Sequence, residues 1–248
     1  MWRLYSGSQG TQTGYPHMIR KALASLALFV VLLTAMITWS YSDAVASVTV
    51  SEKLVALTYD DGPSPPHTQD ILALLEQHNV RATFFPKARN VEAFPGMVAA
   101  ILAAGHEIGN HSYAHRPMVD LRSAGVLAEV QRANRILEAE TGFVPTLFRP
   151  PFGVQGPGLK RALAGLGMTS VLMSTHGADW EVEDAQQIAA TVLVGVEPGG
   201  IVLLHDGHGD VDDPLAQDSR AATVVATGMI IERLRGQGYR FVTVGELL

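Results

Sequence analysis

Beyond residue 52 the chain alternates short apolar runs with helical stretches, and this alternation restricts the fold more than any other feature. Runs at 54–59, 82–85, 106–108, 147–149, 169–173, 201–204 and 240–242 are mostly rich in β-branched or aromatic side chains and read as strands. Between them, residues 68–79 carry Ile71, Leu74, Leu75 and His78 on one helical face. Residues 121–141 carry Leu127, Val130 and Leu137 at helical spacing, with Gly142 as a stop, while Pro95 opens a further helix that Gly105 closes. Seven such strand-then-helix units predict an α/β fold on a parallel sheet with right-handed crossovers, either an open doubly wound sheet or a barrel. The unusual polar residues fall at strand C-termini: Asp60 and Asp61 after the first, His111 and His115 after the third, Arg149 after the fourth, Asp179 after the fifth and His205 after the sixth. Barrel enzymes assemble their active sites at that end.

The first fifty residues stand apart. Positions 22–39 carry no charge, follow Arg20-Lys21 and precede Ala44-Val45-Ala46, a small-x-small pattern of the kind export signals carry. The expectation is a signal over residues 1–46, with translation starting at Met18, and a catalytic domain over 47–248. An uncleaved membrane anchor is the rival, since eighteen apolar residues approach the ~20 that span a bilayer. The 18 basic and 24 acidic residues give a formal charge of -6. Removing Arg3, Arg20, Lys21 and Asp43 with the leader leaves 15 and 23, a net -8, so the domain does not seek anionic lipid. No basic run tracks a phosphate backbone, which argues against nucleic acid as a partner. The absence of cysteine excludes a disulfide scaffold, a thiolate zinc finger and a cysteine nucleophile, so any metal must sit on His, Asp or Glu.

Asp60-Asp61-Gly62-Pro63 taken alone is also ordinary turn composition. His111-Ser-Tyr-Ala-His115 offers two imidazoles four apart, which a helical turn would bring to one face with Cβ atoms about 6 Å apart. With one carboxylate of the Asp pair they make the three-ligand set of a catalytic zinc site, and the other carboxylate is then placed to act as a base. Arg149-Pro150-Pro151-Phe152-Gly153 reads either as a rigid turn that aims a main-chain N–H at an oxyanion or as a proline-rich surface loop. His205 follows the most hydrophobic strand and can donate a proton near neutrality. The loop 207–220, with His208, Asp210, Asp212, Asp213 and Asp218, reads as a solvated lid, because its spacing matches no Ca²⁺ loop. His67, His78 and His106 read as loop, helix and strand-start residues.

Thr58-Tyr59-Asp60-Asp61-Gly62-Pro63, His111-x-x-x-His115, Arg149-Pro150-Pro151-Phe152-Gly153, Asp179-Trp180 and Leu203-Leu204-His205 occur in an order that resembles the polysaccharide deacetylases of carbohydrate esterase family 4, the NodB-homology domain, over residues 52–248. The resemblance implies a distorted (β/α)7 barrel with parallel strands and metal-dependent removal of N-acetyl groups from a glycan such as peptidoglycan or chitin, with a xylan O-acetyl esterase or a silent glycan-binding module as rivals. It implies Asp60 as base, with Asp61, His111 and His115 as ligands of a divalent ion, Zn²⁺ first and Co²⁺, Mn²⁺ or Ni²⁺ next. By the same likeness His205 is the acid, Asp179 its partner, and Arg149 the residue that holds the base. Trp180 and Leu203 would line the acetyl pocket, and the Phe152 N–H would complete an oxyanion hole. Two departures stand out: His176 replaces an Asp frequent in the family, and Pro86-Lys87-Ala88-Arg89 replaces a run of small residues and Gly. The expected setting is periplasmic or extracellular.

Overall fold

The computed structural model describes residues 15–209 and 219–248. The chain divides into two units, Met1–Ser42 and Asp43–Leu248. In the first, helix α1 (Tyr15–Tyr41) contains an apolar stretch, Ile19–Trp39, long and apolar enough to cross a membrane. At 1.5 Å per residue it spans about 30 Å.

The second unit runs β1 (Ala44–Val45), β2 (Leu54–Asp60), α2 (His67–Gln77), β3 (Thr83–Phe85), α3 (Ala88–Ala93), α4 (Met97–Ala103) and β4 (Glu107–Ile108). It continues with α5 (Ser123–Thr141), β5 (Leu147–Phe148), α6 (Pro157–Leu166), β6 (Thr169–Val171), β7 (Thr175–His176) and α7 (Ala185–Gly195). It closes with β8 (Gly200–His205), α8 (Ala221–Gly236), β9 (Arg240–Phe241) and α9 (Val244–Leu247). All seven strands read from the sequence are present, as β2, β3, β4, β5, β6, β8 and β9. Missing from that reading are β1, which lies within the segment read as a leader, and β7, which follows β6 after three residues with no helix between them. α5 starts at Ser123, two residues later than expected, and α2 ends at Gln77. Gly142 stops α5 as foreseen, at φ 81°, where a side chain would be strained.

The strands pair in parallel in the order β4-β3-β2-β8-β7, with β9 against the start of β2, and separately as β1-β6-β5. A parallel bridge between Asn110 and Phe148 joins the β4 and β5 sides, and an antiparallel bridge between Ser47 and Gly200 joins the segment after β1 to β8. The sheet therefore closes on itself, which decides between the two architectures the pattern left open. The fold is a distorted (β/α)7 barrel with parallel strands.

Strand periodicity then aims the site. Val55, Leu57 and Tyr59 of β2 join the core cluster that includes Ile71 and Leu75 of α2, Ile188 and Val192 of α7 and Ile230 and Leu234 of α8. Ala56 belongs instead to a small cluster with Phe85, Leu147, Val171 and Ile201. Since side chains alternate along a strand, Ala56, Thr58 and Asp60 share the inward face, and Asp60 emerges at the C-terminal mouth. β8 repeats the arrangement: Val202 and Leu204 pack outward with the helices, and Ile201 packs inward. β1 is an integral member of this wall. Ala44 and Val45 are in register with Ser170 and Val171, the Leu172 N–H donates to the Val45 carbonyl at 2.7 Å, and Val45 packs on the inner cluster.

Candidate metal and hydrolytic site

The mouth of the barrel opens into a cleft of about 550 Å³, lined among others by Asp60, Asp61, His111, His115, Trp180 and His205. One ligand atom from each of Asp61, His111 and His115 lies within 4.8 Å of the others. Asp61 Oδ1 stands 3.5 Å from His111 Nε2 and 3.6 Å from His115 Nε2, and it is buried with no hydrogen-bond partner among the described residues. Leaving a carboxylate oxygen buried and unsatisfied is costly. One carboxylate oxygen and two imidazole nitrogens converging around such an atom fit a divalent cation, and Zn²⁺ takes these donors. Burial alone would raise the Asp61 carboxyl, but His115, His111, His205 and Lys87 around it hold it down at about 2. It is ready to ligate across the neutral range.

Helical geometry is not what brings the imidazoles together, contrary to the reading from their spacing. Residues 111–115 form an irregular loop with Ser112 at φ 68° and His115 at φ 54°, and the two rings lie 5.0 Å apart. The loop is fastened to α5. The Asn110 amide donates to Asn134 Oδ1 at 2.7 Å and to the Val130 carbonyl, the Ala114 N–H donates to Glu129, and Arg132 lies over the Tyr113 ring at 3.3 Å. His111 Nδ1 meets the Arg149 carbonyl at 2.8 Å; a carbonyl only accepts, so Nδ1 carries the proton and Nε2 presents its lone pair to the site.

Asp60 and Arg149 form a second group. Arg149 is fully buried, and its Nη1 donates to Asp60 Oδ1 at 2.8 Å and to the Thr58 hydroxyl at 2.6 Å, while Nη2 donates to the Leu172 carbonyl. Its guanidinium lies over the Phe85 ring at 4.3 Å. Burial pushes the Arg149 pKa down and the Asp60 charge opposes that. The base candidate is thus fixed in direction by a rigid planar donor.

On the opposite wall, His205 Nδ1 meets Asp179 Oδ1 at 2.8 Å, and Asp179 Oδ2 accepts from the His205 N–H and the Thr223 hydroxyl, both at 2.9 Å. Burial would lower the His205 pKa, but Asp179, by charge and hydrogen bond, and then Asp61 and Asp60 raise it. Asp179 itself is lowered: burial works against this, and His205 and Arg220 outweigh it. Trp180 meets the His205 ring edge-on at 5.4 Å, and Leu203 and Phe152 also line the cleft. Phe152, at φ 59°, leans its half-exposed ring on His115 at 4.4 Å.

Several contributors escaped the sequence reading. At the Pro86–Arg89 departure α3 begins at Ala88, and Lys87 is buried at 1% exposure. Its ammonium donates to the His208 carbonyl at 2.6 Å and the Gly209 carbonyl at 3.3 Å. Arg220 donates to the Gly207 and Asp179 carbonyls and to His208 Nδ1. Residues 207–209 are therefore clamped, not a solvated lid. A Cβ on Gly209 would stand 2.4 Å from the His115 ring, so only glycine allows this close approach. Asp210, Asp212, Asp213 and Asp218 lie outside the described residues. Asp206, raised by burial to about 7, accepts from the Gly62 N–H and the Thr68 hydroxyl beneath the Asp60-Asp61 turn. His106 has a structural role, as read: its Nδ1 accepts from the Ala82 N–H, and burial with Arg81 lowers it to about 4.

Residues 47–171 match the family described as polysaccharide deacetylase. The peptidoglycan-N-acetylglucosamine deacetylase of Bacillus cereus is 36% identical over 222 residues, 87% of this chain and 94% of that protein. The peptidoglycan-N-acetylglucosamine deacetylase PgdA of Listeria monocytogenes is 33% identical over 197 residues, 79% of this chain, which spans only 39% of the length of that relative. The crystal structure of the Bc1960 peptidoglycan N-acetylglucosamine deacetylase aligns with a TM-score of 0.77 at 33% identity, covering 85% of this chain and 95% of that one.

Proposed function

The chain belongs to the polysaccharide deacetylase family, and from that premise we propose that it hydrolyses N-acetyl groups of an N-acetylglucosamine-containing glycan, peptidoglycan or a chitin-type oligomer, releasing acetate. The observation that carries this reading is that three groups open on one cleft: the Asp61–His111–His115 donor set, a carboxylate gripped by Arg149, and a carboxylate-paired His205.

Asp61, His111 and His115 hold a divalent ion, Zn²⁺ first and Co²⁺, Mn²⁺ or Ni²⁺ as substitutes. Bound there, such an ion supplies Lewis acidity, which polarises a carbonyl and acidifies water. Asp60 takes the proton of the attacking water, and Arg149 fixes the direction in which its carboxylate presents. The Phe152 N–H donates to the tetrahedral oxyanion. Trp180 and Leu203 enclose the acetyl methyl. His205, kept protonated by Asp179, delivers its proton to the departing amine nitrogen, a step an amide requires because an amide anion leaves very poorly. Acetate and a free sugar amine result.

The apolar N-terminal segment is proposed to carry the domain across a membrane, to the periplasm or beyond. The pairing of Ala44–Val45 with β6 favours its retention as an anchor, since cleavage after Ala46 would strip a strand from the barrel wall.

The test is acetate release from peptidoglycan and from N-acetylglucosamine oligomers by residues 43–248, which keep β1, with Zn²⁺ or Co²⁺ and with a chelator. Metal-dependent release that Asp60→Asn abolishes is expected. Release from acetylated xylan alone would make the protein an O-acetyl esterase, and binding without any release would make it a glycan-binding module.

A further inference from the structure

His176 ends β7 with its backbone in register with Leu203 of β8, which places it at the barrel mouth on the His205 side. It is exposed and lines the cleft. Its Nδ1 lies 3.2 Å from the Ala178 N–H. A backbone N–H only donates, so Nδ1 accepts and, in the neutral ring, the proton sits on Nε2. Ala178 has φ 53°, a left-handed conformation that a residue with a Cβ seldom takes, in the turn that folds its N–H back on the ring. The ring also lies 4.9 Å from that of Trp180, tilted by 41°, so it continues the aromatic row that runs from Trp180 to His205.

Two constraints on an exposed side chain, a tautomer set by the backbone and a ring plane set by Trp180, are more than packing demands. We propose that His176 is a specificity-determining residue whose Nε2–H donates to an acceptor oxygen of the glycan beside the acetamido sugar. That oxygen is either a sugar hydroxyl or the carboxylate of an acidic neighbouring sugar, and the two share the same acceptor chemistry. This inference rests on the deacetylase reading. It adds a contact on the wall opposite Asp61, His111 and His115, one that serves to hold the chain of sugars and not to move a proton.

Steady-state kinetics on the active protein test it, with His176→Phe, which keeps the ring beside Trp180 and loses the donor, and His176→Gln, which keeps both a donor and an acceptor. The substrates are N-acetylglucosamine oligomers, a muramic-acid-containing peptidoglycan fragment, and the same fragment with its lactyl carboxylate reduced. His176→Phe is expected to raise KM about tenfold on at least one substrate with kcat changed less than about twofold, and His176→Gln to stay within about threefold of wild type. A penalty on all three substrates assigns the hydroxyl. A penalty confined to the unreduced fragment assigns the carboxylate. Unchanged KM for His176→Phe on every substrate, or a fall in kcat at constant KM, would overturn the inference while leaving the deacetylase reading intact. Calorimetric titration with the same oligomers reads the contact without turnover: if the wild-type chain binds them but releases no acetate, the reading fails, and equal Kd for wild type and His176→Phe then overturns the inference too. No binding by the wild-type chain would overturn both.

Discussion

The two walls of the cleft are built on different principles. On the ligand wall, Asp61, Ser112 and His115 all have positive φ, and the loop that carries both imidazoles is tied to α5 by Asn110, Ala114 and Tyr113. The acid wall uses regular structure: His205 is the last residue of β8, and a single carboxylate, anchored by Thr223 and the His205 N–H, orients its ring. Three side chains from two separate segments converge here, and the backbone reaches that arrangement through positive-φ positions that α5 then braces. A proton donor needs only one well-aimed hydrogen bond, and the end of a strand suffices.

The sharpest way to break this contrast is to remove a donor from the ligand wall. His115→Ala is expected to lose both bound metal and activity, by at least about a thousandfold in kcat/KM, as read by metal analysis and acetate release. The matching change opposite, His205→Ala, is expected to keep full metal stoichiometry and lose roughly 10²–10⁴ in kcat on an amide, with a much smaller loss on an acetyl ester. Equal losses on both would remove His205 from leaving-group protonation. Asp179→Asn probes the acid wall more gently. Asp179 faces His205 together with Asp60 and Asp61, all three favouring the imidazolium, and Arg220 and Thr223 brace Asp179 from behind. The acid acts only while protonated, and removing the charge of Asp179 lets the proton leave at lower pH. The alkaline limb of the kcat profile should therefore move down by about one pH unit. A limb that stays in place would assign it to another group. The smallest effect belongs to the brace: Lys87→Met should cost about 1–3 kcal/mol in denaturant unfolding, since two partly buried carbonyls lose a buried charged donor, and weaken metal retention through Gly209 and His115. Unchanged stability would show that Arg220 holds the segment without it.

The strands and the carboxylates and imidazoles at their ends were legible because both signals are local: a run of β-branched residues, then a polar residue at its C-terminus. Barrel closure was not legible, because it depends on single bridges, Asn110 to Phe148 and Ser47 to Gly200, between positions with no shared pattern. The spacing of His111 and His115 suggested a helical turn, and the structure brings the two rings together on a different backbone, since a four-residue interval is equally served by a loop with two positive-φ positions. The role of Lys87 was not legible, because nothing next to it in sequence shows that its ammonium reaches the carbonyls of residues 208 and 209. Asn134 did carry a signal: a polar residue on the buried face of α5, buried beside Val130 and Leu137, marks a partner, which proves to be Asn110. Thr223 and Arg220 offered none, being ordinary residues until the fold sets them against Asp179.

The pairing of β2 with β8 sets Asp60 level with His205, 145 positions further along. β2 also waits for β9, near the end of the chain, to cover its first residues. Contacts this distant in sequence form slowly, because the loop that joins them must be closed before the pairing returns anything. A chain without its C-terminal part can form the local β2–β3 pair, but not the β2–β8 pairing that sets Asp60 opposite His205. The proposed base and acid are therefore brought face to face only once nearly the whole chain is in place.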